Sequence, residues 1–229
     1  MSTETIVVSE IFKSIQGEGL RTGTPSVFVR LTGCNLMCGK GNATWTCDSI
    51  EVWKKGNRVA VQQLAQQVND YKLNNIVVTG GEPLLQQTAL SKFFSLLNQR
   101  IGIEIETNGT IKPLPDIDAH LPFYNVSIKL QNSGEEKKVR LISEAIKFLA
   151  ECERSMFKFV VAEESDMREI QKIIDCFAIR QNKIMLMPAG STRDELNRVS
   201  PLIAKLAIEQ NYVYSDRTHI RIWDKATGV

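Results

Sequence analysis

The chain has 229 residues, 43% hydrophobic and 24% charged, with 28 basic against 26 acidic side chains. That composition supports one sizeable core and excludes a disordered or fibrous polypeptide. A net charge of +2 gives no basic field for nucleic acid, and no stretch approaches the roughly 18 apolar residues of a membrane span.

The start, MSTETIVV, has neither the basic region nor the long apolar run of a signal peptide, so a cytoplasmic protein with no membrane partner is expected. Strands are predicted at 6–11 and 26–31, followed by a long irregular stretch, 33–58. Then come helix 60–71, strand 75–79, helix 88–99, strands 101–106 and 124–128, helix 138–151, strand 156–161, helix 166–179, strand 183–187, helix 192–209 and a last strand, 219–223. In the final helix Leu196, Val199, Leu202, Ile203 and Leu206 recur at helical spacing. Lys137, Lys138 and Arg140, offset by Glu135 and Glu136, read as a solvated helix start. Alternating strands and helices predict parallel strands with crossover helices. Five helices are too few for the eight-fold closed form, so the expected fold class is α/β, an incomplete, open parallel β/α barrel. With no internal repeat or linker, one domain over 1–229 is expected.

Three of the five cysteines fall in the irregular stretch. Gly33-Cys34-Asn35-Leu36-Met37-Cys38 is followed, eight residues on, by Cys47-Asp48-Ser49. The segment follows a strand, and α/β folds place their sites at strand C-termini. Odd cysteines crowded together in a reducing compartment read as metal ligation rather than disulfides. Three thiolates can hold a 4Fe-4S cluster by three irons, leaving the fourth open. Two other readings stay open: zinc with a fourth ligand such as His219, or unrelated reduced thiols. Cys152 and Cys176 sit in helical patterns and read as small core residues. Further on, Ile76-Val77-Val78-Thr79 is a buried strand running into Gly80-Gly81-Glu82-Pro83. The two glycines would let a ligand approach the backbone closely. Alternatively, Glu82 serves the N-terminus of the helix that follows.

Cysteines after one strand and Thr79-Gly80-Gly81-Glu82-Pro83 after the next resemble the radical S-adenosylmethionine (SAM) superfamily, although its usual cysteine spacing is three, then two. The opening Ser9-Glu10-Ile11-Phe12-Lys13-Ser14-Ile15-Gln16-Gly17-Glu18-Gly19 and Phe28-Val29-Arg30 narrow the match. So do Cys47-Asp48-Ser49, Glu106-Thr107-Asn108-Gly109, Ser127-Ile128-Lys129 and the ending Ile222-Trp223…Gly228-Val229. Together they resemble the 7-carboxy-7-deazaguanine synthase family of the queuosine and deazapurine pathway. The resemblance implies an open barrel of the radical SAM type and conversion of 6-carboxy-5,6,7,8-tetrahydropterin to 7-carboxy-7-deazaguanine with loss of ammonia. It implies a 4Fe-4S cluster on Cys34, Cys38 and Cys47, SAM, and Mg²⁺ near the substrate carboxylate, with Ser49 as its ligand. It implies SAM contacts from Thr46, Cys47, Asp48, Gly81, Ser127, Ile128 and Lys129, and substrate contacts from Ile15, Gln16, Gly17, Glu18, Arg30, Thr79 and His219. The expected partners are the pterin and an external electron donor such as flavodoxin, with homodimeric assembly.

The residue chemistry suits those roles. Arg30 is a planar donor fork for a carboxylate, Gln16 and Glu18 offer amide and carboxylate partners, and Ser49 offers a hard oxygen. Ser127 and Lys129 alternate about Ile128, so they share a face. A glycyl-radical activase would share the cluster but not need the Gln-Gly-Glu-Gly opening, and a zinc-holding module would have no catalytic role.

Overall fold

The computed structural model describes residues 4–47, 49–226 and 228. Among them nine strands form one sheet. Strand β1 (Thr5–Ile15) pairs antiparallel with β2 (Pro25–Leu31). A short helix, α1 (Ile50–Trp53), precedes β3 (Asn57–Ala60), which pairs antiparallel with β1 at the sheet edge. Then follow α2 (Val61–Asp70), β4 (Asn75–Gly80), α3 (Gln87–Ser95), β5 (Gly102–Thr107), α4 (Pro115–Asp118) and β6 (Phe123–Val126). The remainder runs α5 (Lys137–Arg140), α6 (Ser143–Glu151), β7 (Ser155–Val161), α7 (Met167–Phe177), β8 (Ile184–Pro188), α8 (Arg193–Gln210), β9 (Val213–Tyr214) and α9 (Thr218–Trp223). The spatial order is β3-β1-β2-β4-β5-β6-β7-β8-β9, and every pairing from β2 to β9 is parallel. The sheet is open, as expected for an incomplete barrel.

The two-residue period of the strands sorts the side chains into two layers. Val27, Val29, Ile76, Val78, Ile103, Ile105, Phe157 and Phe159 join the core shared with the helices. The residues between them, including Arg30, Thr79, Glu106 and Lys158, point to the other face and line a cavity. The turn after β1 crosses the open side of the sheet. Gly19 N–H donates to Ser215 Oγ at 2.8 Å, and Thr218 N–H donates to the Gly17 carbonyl at 2.8 Å. The two ends of the sheet therefore meet over the concave face.

Four expectations change. Residues 219–223 are helical: Arg221 N–H donates to Arg217 O at 3.1 Å and Asp224 N–H to Ile220 O at 2.8 Å. Alternating isoleucines imitated a strand there, yet Ile220 is buried and Ile222 is 47% exposed. The predicted helix 138–151 is two helices, interrupted where Leu141 and Ile142 leave helical geometry. Arg140 is not solvated. It is buried, with Nη1 donating to Lys129 O at 2.9 Å and Nη2 to Glu169 Oε1, and the helix break lets it turn inward. Cys176 is exposed on α7, whereas Cys152 packs half-buried against the core.

Candidate active site

The concave face holds a cavity of about 920 Å³, at the upper end of the roughly 300–1,000 Å³ of small-molecule sites. Cys34, Cys38 and Cys47 all line it, although they come from a loop with an eight-residue gap. That gap is docked on the segment after β6. Gly39 N–H donates to Ser133 O at 3.0 Å and Thr44 N–H to Asn132 O at 2.9 Å. Trp45 Nε1–H donates to Asn132 Oδ1 at 2.9 Å, and Met37 N–H to Glu135 Oε1. Gly134 has φ +80°, and a Cβ there would stand 2.0 Å from Lys40 O, so glycine lets the loop lie flat on its support.

On the opposite side the loop rests on the ends of β4 and β5. Gly81 N–H donates to Leu31 O at 3.2 Å and Glu82 N–H to Gly33 O at 2.8 Å. A Cβ on Gly81 would lie 1.8 Å from Gly33 O, and one on Gly80 2.1 Å from Leu31 O. On the Cβ side the room at the two glycines is taken by the backbone of β2 and of the cysteine loop, while both glycines also line the cavity. Glu82 is fully buried. It accepts from Leu84 N–H (3.0 Å), Thr107 Oγ1 (2.9 Å) and Asn108 N–H (2.7 Å), so it starts the next turn and ties β4 to β5. Burial raises its pKa, with those donors opposing. Gly81→Ala is expected to cost about 1–3 kcal/mol through overpacking and to lower iron retention with every cysteine intact; urea unfolding and iron analysis check it.

The site fits iron–sulfur ligation. Leu36 N–H lies 3.5 Å from Cys34 Sγ and Asn108 Nδ2 3.9 Å from it, two donors suited to a ligating thiolate. Asn108 also donates to Asn35 Oδ1 at 2.9 Å, gripping the loop beside Cys34. Burial pushes the Cys38 thiol up to about 11 and raises that of Cys34. As free thiols both are protonated at neutral pH, so iron binding must displace their protons.

The structure brings most of the other expected residues to the same cavity. Ile15 lines it from the end of β1, and Gln16, Gly17 and Glu18 from the turn that follows; Arg30, Thr79 and Gly81 line it from strand ends. Thr46, Ser49, Ser127, Lys129 and His219 complete that set. Lys129 Nζ donates to Ser127 Oγ at 2.9 Å, so the two share a face as their spacing requires. Ile128 does not reach the cavity, because its side chain is buried in the core. Asp48 and Val229 lie outside the described residues. Arg30 Nε donates to Glu10 Oε2 at 3.1 Å, and its Nη1 to Ser49 Oγ at 3.4 Å. His219 sits on α9 and abuts Gly17: a Cβ there would lie 2.0 Å from His219 Nδ1.

Sequence reasoning missed the charges that pair with Glu18 in this cavity. Lys158 is buried between Glu18 and Glu106, with Nζ donating to Glu106 Oε2 at 2.9 Å and to Glu18 Oε2. Arg217 Nε donates to Glu18 Oε1 at 2.9 Å. Burial alone would raise the Glu18 pKa, but Lys158 and Arg217 outweigh it and hold the carboxyl well below the usual range. Burial likewise opposes the charge on Lys158, and Glu106 and Glu18 raise its pKa regardless. The available signal was a charge at alternate positions inside apolar strands, as in Ile103-Glu104-Ile105-Glu106 and Phe157-Lys158-Phe159.

With this geometry in place, the chain can be compared with known proteins. Residues 15–112, which include all three loop cysteines, match a family model described as a 4Fe-4S single cluster domain. The chain is 32% identical over 231 residues to the 7-carboxy-7-deazaguanine synthase of Pyrobaculum aerophilum, with 99% of each chain covered. The chain belongs to the 7-carboxy-7-deazaguanine synthase family. The synthase of Halobacterium salinarum is 33% identical over 243 residues, covering 96% of this chain and 91% of that one. The crystal structure of QueE from Escherichia coli matches with a TM-score of 0.72 at 23% identity, covering 94% of this chain and 95% of that chain, so the fold is shared. As a synthase-family member, the chain is an enzyme, and the zinc-module and activase readings fall away. In the deazaguanine synthase frame, the docked insertion between Cys38 and Cys47 accommodates the long cysteine spacing without moving Cys47 from the cavity. Among the described residues no helix is long and apolar enough to cross a membrane.

Proposed function

We propose that this chain is a radical SAM enzyme converting 6-carboxy-5,6,7,8-tetrahydropterin to 7-carboxy-7-deazaguanine with loss of ammonia, and that the whole chain acts as one domain. The observation that carries the reading is one cavity lined by all three loop cysteines, Arg30 and the Gln16–Glu18 turn. When bound, the cluster and SAM supply the radical that abstracts hydrogen. The chain's own residues hold the reactants. Cys34, Cys38 and Cys47 ligate the cluster. Thr46, Cys47, Asp48, Gly81, Ser127 and Lys129 serve SAM, and Ile128 serves it through its backbone. Ile15, Gln16, Gly17, Glu18, Thr79 and His219 surround the pterin.

Arg30 and Ser49 make the carboxylate end. They already touch, at 3.4 Å, so a carboxylate held by the guanidinium would also meet a magnesium ion on Ser49 Oγ. Glu10 steadies Arg30 from behind. An external one-electron donor such as flavodoxin and a homodimeric assembly complete the proposal.

Arg30→Ala tests it. Removing one partner of a desolvated guanidinium–carboxylate pair costs about 3–5 kcal/mol, so the pterin KM is expected to rise on the order of a hundredfold or more. Slow formation of 5′-deoxyadenosine should persist. Arg30→Lys keeps the charge but loses the fork, and rescues only partly. Chromatography of both products under anaerobic turnover reads the result. Normal carboxy-deazaguanine formation by Arg30→Ala at low substrate concentration would remove the clamp.

A further inference from the structure

Two carboxyl groups stand side by side on the concave face of β5. Glu106 lines the cavity, whereas Glu104 lies beneath it and is fully buried. Both turn one oxygen toward the same two amide groups. Gln16 Nε2 donates to Glu104 Oε1 and, at 3.2 Å, to Glu106 Oε1. Asn125 Nδ2 donates to Glu104 Oε1 at 2.7 Å and to Glu106 Oε1 at 2.9 Å. Two anions converging on shared donors in a dry site repel, and one proton relieves the repulsion.

The other oxygens show which carboxyl carries that proton. Glu106 Oε2 accepts from Lys158 Nζ at 2.9 Å. Glu104 Oε2 makes no hydrogen bond among the described residues and has Arg21 Nε at 3.6 Å. Arg21 is partly exposed and is drawn away by Asn75 Oδ1, 2.7 Å from its Nη1. Nearby charges already balance: Glu18 and Glu106 face Lys158 and Arg217, and His219 also acts on Glu18. An ionised Glu104 would add a buried negative charge beside Glu106, offset only by Arg21 and by a Lys158 already shared between Glu18 and Glu106. A neutral Glu104 would instead supply a donor to a cluster whose buried Asn125 Oδ1 makes no hydrogen bond among the described residues. Burial, and next the Glu106 charge, push the Glu104 carboxyl up to about 7.

We propose that Glu104 is a positioning residue: while its carboxyl is neutral, the amides of Gln16 and Asn125 are shared with Glu106 beside the cavity, and its ionisation repels Glu106 and draws the Gln16 amide down toward itself, away from the substrate. The substrate arm of this proposal rests on the pterin reading above. Glu104 itself touches no substrate and acts through the two residues that line the cavity.

The test uses the full-length, cluster-loaded protein and its Glu104→Gln and Glu104→Ala variants. The side-chain amide resonance of Gln16 is followed by nuclear magnetic resonance between pH 5 and 9, and the pterin KM is measured over the same range. In the parent, the Gln16 amide is expected to titrate near pH 7, and KM to rise by about tenfold per pH unit above it, as for loss of one required proton. Glu104→Gln, permanently neutral, should show neither change, and Glu104→Ala should have a raised KM at every pH. A Gln16 amide that does not titrate in the parent, or titrates equally in Glu104→Gln, overturns the proposal. So does a KM profile that is the same in parent and Glu104→Gln. A parent that turns over no pterin defeats the functional reading instead, and the Gln16 titration then decides the positioning claim alone.

Discussion

Alanine at Cys34, Cys38 or Cys47 is expected to strip the protein of iron and of all turnover, while Cys152→Ala and Cys176→Ala keep both. The first three side chains line one cavity. The other two lie away from it, one packed half-buried at the end of α6 and one exposed on α7. A cluster held by three thiolates has no spare protein ligand, so two thiolates retain it poorly. Iron and sulfide analysis of the five variants decides the matter. Cys47→Ala is the most informative, because it stands beyond the eight-residue gap. Full iron content in that variant would mean that the docked insertion carries Cys47 for some other purpose.

The second large effect is expected at Lys158. Its ammonium is buried and shared by Glu18 and Glu106. Lys158→Met leaves those carboxylates uncompensated except for Arg217 beside Glu18, and breaking a buried pair in this way costs about 3–5 kcal/mol. The loss depends on pH in a definite direction. The folded-state pKa of Glu18 is depressed, so its ion pairs stabilise the protein above the unfolded carboxyl value of about 4.3 and are lost as pH falls below it. The parent should therefore lose stability on acidification more steeply than Lys158→Met, with the gap between the two curves starting to narrow only below about pH 4 and closing as pH falls toward the depressed Glu18 value. Urea unfolding at several pH values measures both. A difference under about 1 kcal/mol at pH 7, the range of an exposed pair, would show that the cluster is hydrated rather than buried.

What the sequence disclosed, and what it hid, follows from the range of each interaction. Strands such as Asn75–Gly80 are continuous apolar runs, because a parallel strand covered by helices needs them. Their positions were legible to within a residue or two. The cysteines stand out by crowding into one loop, whereas Arg30 and the Gln16–Glu18 turn were singled out by the family resemblance, and the fold brings all of them to one cavity. The four-residue β3 was not, since as an exposed edge strand it carries no apolar signature. Gly80 and Gly81 announced a close approach but not what approaches; only the fold shows that it is Leu31 and Gly33. Arg140 reads as a solvated charge, and Glu104 and Lys158 were not singled out from the sequence. Their burial depends on partners far along the chain: Lys158 on Glu18, 140 residues away, and Glu104 on Gln16, 88 residues away. A charge inside an apolar strand signals a long-range partner, but names neither the partner nor the side of the sheet.

The central claim is the reaction. The protein, reconstituted with iron and sulfide under anaerobic conditions, should be given SAM, Mg²⁺, a one-electron reductant and 6-carboxy-5,6,7,8-tetrahydropterin, and the products separated by chromatography. The account predicts 7-carboxy-7-deazaguanine and ammonia in equal amounts, with many turnovers per SAM. A fully loaded cluster that cleaves SAM to 5′-deoxyadenosine yet yields no carboxy-deazaguanine would contradict it.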